Sequence, residues 1–102
     1  MAQRREALSV DDVVHRKDGM LSSKTPVEML AFDADTGACF AFDGPSARIW
    51  ELLEAPIRIG DLVGRLTGEY AIDEARCRDE TLAHLGKLRD EGVLVVAPPT
   101  AP

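Results

Sequence analysis

Aromatic side chains are scarce in this chain, three Phe, one Tyr and one Trp in 102 residues, and cysteine is scarcer, with Cys39 and Cys77 alone. Two thiols 38 positions apart do not make the dense cross-linked framework of a small secreted domain. The opening stretch MAQRREALSV has no apolar signal-like segment, so reduced thiols and a cytoplasmic setting are the expectation. No apolar run nears the roughly 20 residues of a membrane span; VLVVA, close to the C-terminal end, is the longest candidate. Positive charge is short as well. Lys and Arg number 12 against 18 Asp and Glu, a net charge of −6, which opposes binding to nucleic acid because that affinity is built from cations neutralising phosphates.

What is present is enough for one compact core. Leu, Ile, Val and Phe supply 26 residues, about a quarter of the chain and above the level of a disordered segment. A domain of this size buries about two-thirds of its unfolded surface and has little left for a deep enclosed cavity, so an enclosed active site is not expected. The domain is assigned to residues 12–97, between a loose N-terminal segment at 1–11 and a Pro-rich tail at 98–102.

The stretch DVVHR, Asp12 to Arg16, reads as a first strand closed by a turn at Gly19. In PVEMLAFD, Val27, Met29 and Ala31 alternate with Glu28, Leu30 and Phe32. After the turn formers DADTG the alternation resumes with Phe40 and Phe42 on one side and Cys39 and Ala41 on the other. The period then changes to about 3.6. Gly44 and Pro45 start a helix to about Leu53, with Ile49, Trp50 and Leu53 on one stripe. Ile59, Leu62, Val63, Leu66 and Tyr70 mark a second, ending near Gly68. Asp73 caps a third that turns Cys77, Thr81, Leu85 and Leu88 inward, with Leu82 to one side, and stops at Gly92. Val93–Val96 forms a short terminal strand or arm. Strands followed by helices make an α+β domain: a three-stranded antiparallel sheet followed by three helices, with a winged helix-turn-helix-like outline. Trp50, Leu53, Leu66, Tyr70 and Leu88 are assigned to the core.

Reactive chemistry has little support. His15, His84, Cys39 and Cys77 stand in no catalytic or metal-ligand spacing, and either histidine is better read as structural or surface. DADTG opens like a calcium loop, but Gly37 and Gly44 occupy positions where oxygen ligands belong, and a hairpin turn explains it better. Gly60, Gly64 and Gly68 lack the preceding strand and the following Lys of a phosphate loop. No cofactor, metal or catalytic residue is called. The alternative is a winged-helix DNA-binding regulator that reads DNA with its third helix. That segment carries Arg76, Arg78, Lys87 and Arg89 against Asp73, Glu74, Asp79, Glu80, Asp90 and Glu91, a balance of −2 where a groove-reading helix is normally positive. The feature left is a strand edge. GACFAFD, the last of three sequential strands, lies most simply at the edge of the sheet beside a long helix, where an extended peptide can pair with it. The same edge could pair with a second copy, so monomer or weak homodimer both remain open.

These residues are similar to a known family. From Gly19 to Val96 the chain resembles the PqqD-like proteins, small domains that recognise the leader segments of ribosomally made, later modified peptides. The resemblance runs in order through PVEMLAFDADTGACFAFDGPSARIWELLEAP, DLVGRLTGEY and CRDETLAHLGKLRDEGVLVV. Phe42, Asp43 and Val93 depart from the commoner Leu, Asn and Leu of the family pattern. Cys77, the Ile49-Trp50 pair and the length are most similar to the version found in lasso-peptide pathways. The resemblance implies a non-catalytic protein that binds a precursor leader peptide and hands it to a separate enzyme, a leader peptidase of the cysteine-protease type or another modifying enzyme. It also implies that the leader pairs antiparallel with the backbone of Ala38, Cys39, Phe40, Ala41 and Phe42 and packs against the third helix, where Arg78, Thr81, Leu82, Leu85 and Arg89 are the groove candidates.

Overall fold

The computed structural model describes residues 7–97. The order is β1 (Val13–Arg16), β2 (Met20–Lys24), β3 (Met29–Asp33), β4 (Cys39–Phe42), α1 (Gly44–Leu52), β5 (Ile57–Arg58), α2 (Ile59–Tyr70), α3 (Glu74–Asp90) and β6 (Leu94–Val96). The class is α+β, but a single three-stranded meander has to be corrected to two three-stranded antiparallel sheets, ordered β2-β3-β4 and β5-β1-β6. The DVVHR strand does not join the hairpin. It lies between the terminal strand and β5, with Val14 opposite both Val96 and Ile57. Its place beside the hairpin is taken by β2, MLSSK, which the sequence hid because Ser-Ser-Lys has neither strand propensity nor apolar alternation. A five-rung register with β3, from Met20 opposite Asp33 to Lys24 opposite Met29, holds it as a strand.

β3 alternates as expected, Met29, Ala31 and Asp33 buried and Leu30 and Phe32 outward. Val27 does not share in this. It is 79% exposed, in a turn where the Thr25 hydroxyl accepts the Glu28 N–H. The DADTG segment is a turn: the Asp33 carboxylate accepts the Asp35 N–H at 2.9 Å, and Gly37 takes a φ of 80° that most side chains resist. Asp33 is almost fully buried, and Lys17 Nζ reaches both its oxygens at 2.9 and 3.0 Å. This hydrogen bond from Lys17 holds the carboxyl below the ordinary aspartate range. The stabilisation is therefore present above the unfolded aspartate pKa of about 4 and is lost as pH falls through the lower folded value. Asp33→Asn is expected to flatten the acid limb of the pH-stability profile, read from urea unfolding between pH 7 and pH 2; an unchanged limb would assign acid sensitivity to other groups.

α1 starts at Gly44, with a φ of 55°, and Pro45, and ends before Pro56. α2 continues through Gly64 and Gly68 to Tyr70 and stops where Ala71 turns left-handed, two residues past the expected end. Burial of Ile59, Leu62, Val63 and Leu66 outweighs the weak propensity of its glycines. α3 follows its expected boundaries. The Asp73 carboxylate accepts the Arg76 N–H at 3.1 Å, and Gly92, with a φ of 81°, releases the chain toward β6. Asp73→Ala should cost about 1 kcal/mol, read as a lower urea midpoint with an unchanged slope.

The core gathers on Trp50, which is fully buried, stacks on Phe42 at 5.3 Å between ring centres and donates Nε1–H to the Ser22 hydroxyl at 2.9 Å. Leu53, Leu62, Leu66, Leu85 and Leu88 belong to the same core. Tyr70, assigned to the core from its spacing, is 39% exposed at the last position of α2, which helical periodicity alone does not distinguish from an interior turn. Leu8 packs against the core, the Val10 carbonyl accepts Gly60 N–H at 2.8 Å and the Asp12 carboxylate accepts Ser9 N–H. Residues 8–11 are thus tied to the domain, while 1–6 and the 98–102 tail lie outside the described residues.

Candidate functional site

β4 pairs with β3 on one side, and among the described residues nothing pairs with its other side. The direction of its backbone follows from one hydrogen bond. Asp33 N–H donates to Ala38 C=O at 2.8 Å, which puts 33/38 at a hydrogen-bonding position of the ladder. The alternation of an antiparallel ladder then turns the backbone groups of Phe40 and Phe42 toward β3, opposite Ala31 and Met29, and those of Cys39 and Ala41 outward. Their side chains divide the same way. Phe40 and Phe42 lie beneath the sheet, 6.2 Å apart with nearly parallel rings, while Cys39 and Ala41 are exposed on top. There they continue two cross-strand rows that begin Leu21-Phe32 and Ser23-Leu30, so the outer face of this sheet is unusually apolar.

Beneath the open edge runs α3. Phe42 meets the ring of His84 edge-on at 5.8 Å, which identifies the flank of α3 that faces β4. Where β4 passes into α1, a hollow of about 270 Å³ opens between Asp43, Pro45, Ser46 and Ile49 on one side and Leu66, Cys77, Glu80, Thr81 and His84 on the other. Its walls are apolar at Pro45, Ile49, Leu66 and Cys77. Its polar groups are mostly engaged: Ser46 Oγ donates to Asp43 C=O at 2.7 Å, Glu80 receives Arg76 Nε at 2.9 Å, and the Cys77 thiol lies 3.9 Å from the Thr81 hydroxyl. His84 Nε2 is shielded from water and has no hydrogen-bond partner. Burial, with the charge of Lys87 added, pushes the imidazole below its ordinary pKa and keeps it neutral near pH 7.

Of the five positions named from sequence, Cys39 to Phe42 make up β4 with Ala38 just before it, and only Cys39 and Ala41 turn their backbone groups to the open side. The helix positions divide. Thr81 lines the hollow, whereas Leu85 is fully buried in the core. Arg78, Leu82 and Arg89 do not face β4: at 100° per residue they lie about 120° to 160° around the helix from His84. Arg78 is exposed there, and Leu82 and Arg89 are half-buried. The missed residues are His84 and the start of α1, Pro45, Ser46 and Ile49. A signal existed for His84, which falls on the Cys77-Thr81 stripe of the helix, but a lone histidine among polar residues is not distinctive. Cys39 is an exposed free thiol and Cys77 a buried one, and no group of three His, Cys, Asp or Glu that could hold a metal occurs among the described residues. No described helix is long and apolar enough to cross a membrane.

No curated protein matches the chain. Among solved structures, TbiB1 in complex with the TbiA(beta) leader peptide superposes with a TM-score of 0.75 at 25% identity, covering 83% of this chain and 99% of that one. The model of the family described as coenzyme PQQ synthesis protein D matches residues 28–94, from the turn before β3 into β6. This span contains the open edge, the hollow and the helix beneath them. With the fold in accord, the chain belongs to the PqqD family.

Proposed function

We propose that this protein is a non-catalytic carrier of a precursor peptide, which captures the leader segment by strand addition to β4 and presents the remainder to a processing enzyme. The observation that carries this reading is the unpaired outer edge of β4, which runs at its far end into a side-chain-sized hollow between α1 and α3. The outward N–H and C=O groups of Cys39 and Ala41 supply hydrogen bonds that do not depend on the guest's sequence, and alternate guest side chains turn down toward Phe40, Phe42 and α3. The likeness to a protein solved with a leader peptide supports a peptide guest. The docking set is Ala38, Cys39, Phe40, Ala41 and Phe42 at and just before the strand, with Thr81, His84, Pro45 and Ile49 around the hollow; Leu85 belongs to the core, and Arg78, Leu82 and Arg89 are left out.

The mechanism is recruitment. A disordered leader is ordered on the edge, and the attached peptide is held at high local concentration near the enzyme. Ordering costs free energy, so affinity is expected between micromolar and tens of nanomolar. The similarity of Cys77 and Ile49-Trp50 to the lasso-peptide version makes a leader peptidase of the cysteine-protease type the partner of choice. The test is an amide chemical-shift titration with synthetic leaders of short precursors encoded beside its gene. Shifts confined to 38–43 and the Cys77-Thr81-His84 flank of α3 are expected; shifts confined to the Arg78-Leu82-Arg89 flank, or none, would sink the proposal.

A further inference from the structure

A strand paired to the open edge of β4 puts only every second side chain beneath the sheet. Cys39 and Ala41 carry the outward backbone groups and present their own side chains on the outer face, so the guest residues opposite them also project onto that face, two positions apart in the guest sequence. There each guest residue meets the end of a cross-strand row. One row is Leu21, Phe32 and Cys39, and the other is Ser23, Leu30 and Ala41. Leu21 is 60% exposed, Leu30 and Phe32 are 40% exposed, and none of the six side chains carries a charge.

Both rows step down at the edge, since Cys39 and Ala41 are small and the Phe32 and Leu30 behind them are large. A guest residue lies about 10 Å, two strand spacings, from Phe32 or Leu30. A large guest side chain leaning across the small residue closes that distance and covers the exposed ring or isobutyl group, whereas a small one leaves it in water. A charged one is desolvated with no counterion in either row. Resting on the docking reading above, we propose that Phe32 and Leu30 select the guest by taking a large apolar side chain at each of two positions separated by one residue. In an antiparallel guest the residue that leans across Ala41 to Leu30 comes first, and the one that leans across Cys39 to Phe32 follows two residues later. A second copy of the chain suits this face less well, because each copy carries a net charge of −6.

The experiment is selection of phage-displayed random dodecapeptides on the immobilised wild-type protein and on Ala41→Pro in parallel. A peptide that binds wild type alone is then scanned with serine, position by position, against wild type, Phe32→Thr and Leu30→Thr. Both substitutions fall at exposed positions of β3 where threonine suits a strand, and an unchanged thermal midpoint checks that the variants are folded. Two large apolar residues of the peptide, at i and i+2, are expected to cost about tenfold each when changed to serine on wild type. At i+2 the loss should fall below about threefold on Phe32→Thr and stay near tenfold on Leu30→Thr, and at i the reverse. Equal losses on all three proteins, or coupling in any other pattern, overturn the assignment to Phe32 and Leu30 and leave strand docking intact. A wild-type dimer that Phe32→Thr dissociates, read by sedimentation velocity, gives the face to a second copy and overturns it as well. Peptides that bind Ala41→Pro as well as wild type, or no enriched peptides at all, overturn the docking reading and this inference with it.

Discussion

Ala41→Pro is expected to stay folded and to lose peptide binding by at least tenfold, about 1.4 kcal/mol. The two halves of that result have different causes. The Ala41 backbone points away from β3, so proline removes a donor that the protein itself does not use, and an edge position is where a strand tolerates proline. A guest strand needs that donor and must also approach the space taken by the ring. Phe40→Pro is the counterpart: its N–H faces β3 opposite Ala31, and the substitution should lower the thermal midpoint by several degrees. Thermal unfolding followed by circular dichroism separates the pair, and fluorescence anisotropy of a labelled leader reads binding. If Ala41→Pro binds as wild type does, the guest does not sit on this edge.

Trp50→Ala should be the most damaging single change to the fold. The side chain is fully buried, stacks on Phe42, donates to Ser22 and lies under the Arg16 guanidinium at 4.9 Å. Removing a buried aromatic residue costs about 3–5 kcal/mol, a large share of the total stability of about 5–15 kcal/mol typical of domains this size. Trp50→Phe keeps the ring contact and gives up the Ser22 bond, and should cost closer to 1 kcal/mol. Trp50 is the one tryptophan in the chain, so the comparison has to be followed by far-ultraviolet circular dichroism in urea. A loss below about 1 kcal/mol for Trp50→Ala would mean that the core relaxes around the vacancy far more than its packing implies. Because the same ring supports Phe42, partially destabilised variants are expected to bind peptide less well even where they remain folded.

Local chemistry made much of this legible. Strict alternation identified the β3-β4 hairpin, the Asp33 to Gly37 turn carried its own turn formers, and Asp73 and Gly92 bracketed α3. The strand edge followed from connectivity, since sequential strands joined by short turns leave the last one with a single neighbour. Remote partners decided the rest. β2 is a strand because β3 lends it a ladder, and β1 left the hairpin sheet because the terminal strand, some 80 residues later in the chain, gives it a better set of rungs. The flank of α3 that faces the edge also had to wait. Periodicity tells which side of a helix is buried, but the neighbour on either flank depends on how the helix is set down on the sheet, and Arg78, Leu82 and Arg89 satisfied the periodicity as well as His84 did. Composition and local pattern thus determined a small acidic α+β domain with an unfinished sheet. Tertiary packing alone decided what lies beneath that sheet's edge, because the Phe42-His84 contact joins residues 42 positions apart in sequence and encodes nothing in either segment by itself.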